Sequence, residues 1–211
     1  SNAEQREFIA TLNSASSEVQ LSLEEAKNWF KRKNDSELTK KLFALEQVVK
    51  IATESALKCQ KSFEPVIAND IHDGDVLLTA SALVFVHDVL FVALDNARAH
   101  SGLQKPRVKI DARIESDNKK LSLKIVTSTD RFSKQSNLKK IQEIKTAINN
   151  NSYGSNSKKE GRSGFIKIAA VVKQSNKGSI DFYYDDNSNF VLEVTYSLLV
   201  KQVQKEEVEY V

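Results

Sequence analysis

The sequence predicts an α+β fold: a two-layer sandwich, a mixed sheet with helices on one face, preceded by N-terminal helices. Three observations lead there. Apolar residues alternate strictly at Val108, Ile110, Ala112, Ile114 and again at Leu121, Leu123, Ile125, the mark of a hairpin with one buried side. A nearly continuous apolar run from Ala80 to Ala99 is too long for a strand and reads as a buried helix. Other segments space their apolar residues by three and four, and these helical patterns sit between the strand patterns.

Taken in chain order, positions 8, 12, 15, 19, 23, 26 and 30, between Phe8 and Phe30, form one narrow helical stripe. A stripe of that width suits packing against another helix, either within the chain or across a homodimer. Lys31-Arg32-Lys33-Asn34 breaks it, and Asp35 or Ser36 can cap the next helix. The expected division is therefore an N-terminal helical segment, residues 1–36, and a main domain, residues 37–211. Leu38, Leu42, Leu45, Val49, Ala52 and Ala56 continue a helical period to about Phe63, ahead of Pro65, while Phe43-Ala44-Leu45 also reads as a short edge strand. Strand patterns at Val66–Ile71 and Val76–Leu78 flank the turn-like His72-Asp73-Gly74-Asp75. Gly102 stands where a helix-ending glycine belongs, after the Ala80–Ala99 helix. The hairpin turns through Ser116-Asp117-Asn118-Lys119-Lys120, and Leu138, Ile141, Ile144 and Ile148 mark another helix. The Asn- and Ser-rich stretch after it has little to bury, so Asn149 to Glu160 is expected to be the most mobile internal segment. A helix from Gly164 to about Gln174 and strands at Ile180–Tyr184 and Phe190–Leu198 complete the order.

Composition narrows the functional classes. The 211 residues are 40% hydrophobic and 28% charged, ordinary for a globular chain. Lysines and acids are interspersed, and the net charge of +3 forms no basic stripe, which argues against nucleic acid as a partner. The lone Cys59 cannot form an internal disulfide; it fits a reducing, cytoplasmic compartment and reads as a small buried or half-buried helix residue. The apolar stretch Ser81–Leu94 is interrupted by His87-Asp88 and too short to span a bilayer, so no membrane is expected. Ser1-Asn2-Ala3 resembles the scar of a cleaved tag, and a chain without methionine is expected to be a piece of a larger bacterial protein, with that protein's other domains as partners. His72 and His87 have no carboxylate or nucleophile at suggestive spacing and read as structural, and no histidine in the first helices offers a phosphoacceptor.

Val92-Ala93-Leu94-Asp95-Asn96-Ala97-Arg98-Ala99-His100-Ser101, on the long helix, resembles the N box of the GHKL superfamily, the histidine-kinase-like ATPases. Residues four apart share a helical face, so the family's paired asparagines can meet one Mg²⁺–phosphate group. Asn96, Ala97, His100 and Ser101 match that pattern, whereas Val92 replaces the first Asn, or the Glu that polarises water, and Ala99 replaces the phosphate-facing Lys beside Arg98. Aligning the inner hairpin strand sets Thr127-Ser128-Thr129-Asp130-Arg131 on the adenine-binding D-x-G-x-G, with neither glycine and with Thr127 in place of the Asp, unless Asp130 substitutes by a shift of register. Gly161-Arg162-Ser163-Gly164 keeps two glycines of the G-x-G-x-G-L that opens a phosphate-facing helix. Lys177-Gly178-Ser179-Ile180 is similar to the family's H-G-G-x-I, and the resemblance runs from about Phe43 to Leu198.

The resemblance implies a nucleotide-binding set of Asn96, Arg98, His100, Thr127, Gly161, Arg162, Ser163 and Gly164, with Asn96 facing Mg²⁺ and no catalytic residue. It implies an adenine nucleotide with Mg²⁺ as the cofactor, bound weakly or not at all, and a regulatory or assembly role. Two readings stand beside it: an active ATPase whose nucleotide closes a lid and drives dimerisation, and a protein-interaction module that reuses the sandwich without nucleotide. For Asn96 a cap or bridge to neighbouring backbone is the structural alternative, and for His100 a charge at the helix C-terminus.

Overall fold

A computed structural model describes residues 42–60, 62–115, 120–150, 163–174 and 178–198. The chain divides into compact units at residues 1–40 and 41–211, and everything described lies in the second. The Phe8–Phe30 stripe and the 151–160 part of the expected mobile segment fall outside the described residues.

The described elements are β1 (Leu42–Ala44), α1 (Leu45–Lys58), β2 (Val66–Ile71), β3 (Leu77–Thr79), α2 (Ala80–His100), β4 (Arg107–Glu115), β5 (Lys120–Thr127), α3 (Arg131–Asn149), α4 (Ser163–Gln174), β6 (Ser179–Tyr184) and β7 (Phe190–Ser197). Five strands form one mixed sheet in the order β2-β4-β5-β7-β6, with β2 parallel to β4 and the remaining pairs antiparallel. A parallel pair needs a crossover, and the α2 segment between β2 and β4 supplies it. The expected α+β two-layer fold is the observed one, and the helices share one face of the sheet.

α2 is the spine of the core. Ala82, Phe85, Val86, Val89, Leu90, Ala93, Leu94 and Ala97 are buried along it. They join Leu45, Val48, Val49 and Ala52 of α1 and the inward residues of the sheet, among them Val108, Ile110, Ala112, Leu121, Leu123 and Ile125, in a single apolar cluster. By length and composition α2 could cross a membrane, and its extent matches the helix expected over Ala80–Ala99 to within one residue; its burial against α1 and the sheet accounts for the apolar character instead.

The structure settles or corrects four sequence expectations. Leu42–Ala44 is a strand rather than part of a helix, because it pairs with Leu77–Thr79 in a separate two-stranded sheet. Consequently β2 and β3 do not pair with each other; the turn between them docks on α1 instead, where Gly74 and Val76 carbonyls accept the Glu46 and Leu45 amides that the first helical turn cannot satisfy itself. α1 ends at Lys58, short of Phe63, and Cys59 caps it exposed to solvent. α3 begins at Arg131, ahead of the apolar stripe that starts at Leu138, because the Asp130 side chain accepts the Ser133 amide at 2.6 Å and caps the helix.

Gly102 ends α2 at φ +73°, a left-handed conformation that favours glycine. A Cβ built there would collide with the Asp130 carboxylate, so the turn after α2 and the cap of α3 can meet only over a glycine. Gly102→Ala is expected to cost about 1–3 kcal/mol through backbone strain and the displaced cap. An unchanged urea midpoint and slope would contradict this account.

Candidate functional site

The last turn of α2, the end of β5, the middle of α3 and the aromatic ends of α4, β6 and β7 converge on one pocket. It opens to solvent, and its empty space, counting the open solvent at its mouth, is about 550 Å³. Its apolar wall is built from Ile141 and Ile144 of α3, Phe165 of α4, Tyr184 of β6 and Phe190 of β7. Phe165 stacks on Phe182 with centroids 4.6 Å apart, and Tyr184 meets Phe190 edge-on at 5.5 Å, so the aromatic wall is held from behind. The polar side carries Asn96, His100, Ser101, Thr127, Thr129, Asn137 and Lys140.

Asn96 lines the pocket while its Nδ2 donates to the Val92 carbonyl at 2.7 Å. The amide group is thus a bridge to its own helix, with Oδ1 left to accept or ligate. Thr127 is buried at the end of β5, between Val108 and Phe190 on the neighbouring strands. Thr129 Oγ1 donates to the Ser188 carbonyl, tying the chain after β5 to the β6–β7 turn. Asn137, also buried, donates from Nδ2 to the His100 carbonyl at 3.3 Å. Burial holds the Tyr184 phenol above its ordinary pKa.

Of the residues selected from sequence, the pocket gathers Asn96, His100 and Thr127. Arg98 lies on the exposed side of α2, paired with Asp95 at 2.7 Å, and is not in the lining, because two residues along a helix turn the side chain by about 200°. Gly161 and Arg162 are outside the described residues, as is the side chain of Ser163. Gly164 lies behind the wall, facing α2: a Cβ there would come within 2.8 Å of Val92 Cγ1 and 3.1 Å of Cγ2. Val92, at the position of the family's first Asn, therefore serves as a packing surface for the start of α4. Asp130 accepts the Ser133 amide as the cap of α3 and is not among the pocket's lining residues.

Thr129, Asn137, Lys140, Ile141, Ile144, Phe165, Tyr184 and Phe190 also line the pocket, and the sequence did not mark them for it. Ile141 and Ile144 were visible as a helical stripe, and Tyr184 and Phe190 as strand residues, but nothing local joins segments so far apart. The two other histidines also differ from expectation: His72 Nε2 lies 3.3 Å from Asp70 Oδ1, and His87 Nδ1 lies 3.5 Å from Asp88 Oδ1.

Burial, then the nearby Lys140 ammonium, pushes the His100 pKa below its ordinary value of 6.5, against a smaller opposing pull from Asp95. That direction disfavours the charged imidazole, and so weighs against His100 as a charge serving the helix C-terminus. Mg²⁺ binds near-octahedrally to oxygens, usually with one or two carboxylates beside the phosphates. The pocket offers the Asn96 amide oxygen and threonine hydroxyls, and Val92 supplies no second amide beside Asn96, so one of the two donors that the resemblance implies for the ion is missing.

A sequence model of the family described as "y4jQ C-terminal putative histidine kinase domain" matches residues 44–198. The catalytic domain of histidine kinase ThkA, nucleotide-free, superposes with a TM-score of 0.51 at 12% identity, over 75% of this chain and 96% of that one. A second nucleotide-free form of ThkA gives 0.50 at 13% identity, over 75% and 95%. Histidine kinase AdeS of Acinetobacter baumannii aligns over 76% of this chain and 68% of its own at 17% identity, with a TM-score of 0.49. No curated protein matches the chain.

The contact of Gly164 with Val92 is open to a direct test. Alanine at position 164 gains about 1 kcal/mol of helix propensity over glycine, whereas overpacking against Val92 costs about 1–3 kcal/mol. Gly164→Ala should therefore destabilise the native domain but stabilise a Val92→Ala background, read as a change of sign in a double-mutant cycle; the same sign in both backgrounds would refute the contact. For His100, the unfolded chain binds the proton more readily than the folded one, so stability rises with pH across the interval below 6.5 and is lost on acidification. Chemical denaturation from about pH 5 to about pH 7.5, which spans the imidazole range, should show that loss reduced in His100→Gln. An equal slope in the variant would show that His100 is not its source.

Proposed function

Because the chain belongs to the family of the y4jQ C-terminal histidine kinase domain, with the histidine-kinase-like ATPase fold, we propose that it is a degenerate member that does not turn over ATP. On this reading it retains a pocket able to hold an adenine nucleotide weakly and acts as a regulatory or assembly module of a larger protein. The supporting observation is the absence of any carboxylate among the described lining residues. Thr127 occupies the position whose Asp would accept from an adenine amino group; a hydroxyl accepts such a bond without charge assistance, and a charged partner typically makes it roughly twice as strong. Val92 offers neither a proton acceptor nor a metal ligand, and it is engaged with Gly164. There remain the aromatic and aliphatic wall for a planar base, and Asn96, His100 and Lys140 for polar groups.

An ATP analogue with a fluorescent ribose label should bind with high-micromolar or weaker affinity. Mg²⁺ should tighten it by less than about tenfold, the scale of one good ligand interaction. No phosphate should be released above background. Mg²⁺-dependent phosphate release that disappears in Asn96→Ala would overturn the proposal and make this an active ATPase. Failure of any nucleotide to bind, with the fold intact by circular dichroism, would favour the protein-interaction role alone.

A further inference from the structure

The open face of the sheet carries a cluster unrelated to the pocket. Along β4 the side chains alternate, with Val108, Ile110 and Ala112 buried beneath the helices and Lys109, Asp111 and Arg113 on the opposite face. On the parallel neighbour β2, Asp70 stands directly opposite Asp111. His72 is two residues further on, hence on the same face, and its backbone amide donates to the Ala112 carbonyl at 2.9 Å. One potential ligand atom from each of Asp70, His72 and Asp111 lies within 4.8 Å of the others. The ladder fixes the backbones of Asp70 and Asp111, and the amide bond to Ala112 fixes that of His72, so less ordering entropy is left to lose than for donors on an untethered loop.

The spacing suits a small ion. With metal–ligand bonds of about 2.0–2.2 Å, adjacent donors of a tetrahedral site lie about 3.3–3.6 Å apart. His72 Nε2 and Asp70 Oδ1 are already 3.3 Å apart. Asp70 divides its oxygens, giving Oδ2 to Lys109 at 2.7 Å and Oδ1 to the imidazole. A cation on the Oδ1–Nε2 edge therefore leaves the Lys109 pair in place but shares its carboxylate charge. The donor set of one imidazole and two carboxylates favours Zn²⁺ and its neighbours among the divalent transition metals over Mg²⁺ or Ca²⁺, which prefer oxygen alone.

We propose that Asp70, His72 and Asp111 form a surface site for a Zn²⁺-class ion that clamps the edge strand β2 to β4. Lys109 weakens the site by competing for Asp70.

Co²⁺ titration of the full chain carrying Cys59→Ser, which removes the exposed thiol, tests this. The expected result is saturable binding in the micromolar range with visible d–d bands, displaced by Zn²⁺, and a melting temperature that rises with metal concentration. Even outer-shell partners are commonly worth about 10–100-fold in metal affinity, so His72→Ala should weaken binding at least about tenfold, and Asp111→Asn should also weaken it. Lys109→Ala should tighten binding, whereas His87→Gln and His100→Gln should leave it unchanged. These positions are on the surface or outside the site, and circular dichroism verifies that each variant folds. No saturable binding up to millimolar Co²⁺, or binding that survives His72→Ala, overturns the site; unchanged affinity in Lys109→Ala overturns the competition.

Discussion

The constraint on which the rest depends is the burial of α2. A 21-residue helix with eight buried positions can exist in water only where other elements cover it, and here α1, the sheet and the start of α4 provide that cover. It also joins β2 to β4 as the crossover of a parallel pair, so its axis is fixed relative to the sheet. Its last turn is thereby delivered to the end of β5, which is why Asn96, His100 and Ser101 meet Thr127 at one rim.

The same helix explains what the pocket has become. Val92 and Asn96 are one turn apart and share a face, but Asn96 lines the pocket while Val92 meets the backbone of Gly164. A polar side chain at 92 would face that tight apolar contact, and burying an unpaired polar group is costly. The pocket's polarity is left to neutral amides and hydroxyls, the His100 imidazole, whose pKa burial lowers, and Lys140. On the proposed reading, that inventory serves to hold a planar, partly apolar ligand and not to organise a metal-bound triphosphate for chemistry.

On the far side of the sheet the physics differs. There the residues face water, and acids alternate with bases across strands: Lys109 with Asp70, Lys124 with Glu193 at 2.8 Å. Exposed pairs of this kind contribute little to stability. They are therefore free to be exchanged for other partners, and the His72 cluster differs from its neighbours because it combines an imidazole, just past the end of β2, with two carboxylates on paired strands.

The sequence by itself determined the α+β class, the alternation of β4, β5, β6 and β7, the extent of α2 and the glycine that ends it. In each case the signal is local: a period of two or of 3.6, or a residue type demanded by a backbone angle. It also brought out the family resemblance through Asn96-Ala97 and His100-Ser101. Tertiary structure alone decided that Leu42–Ala44 is a strand, since its pairing partner lies at 77–79. It decided that Asp130 is a cap packed against Gly102, that Arg98 turns away from the pocket, and that the aromatic wall draws on residues 165, 184 and 190. It also placed His72 beside Asp70 and Asp111. Such contacts join residues that no period relates, and only the order of strands in the sheet and the path of the helices over it bring them together.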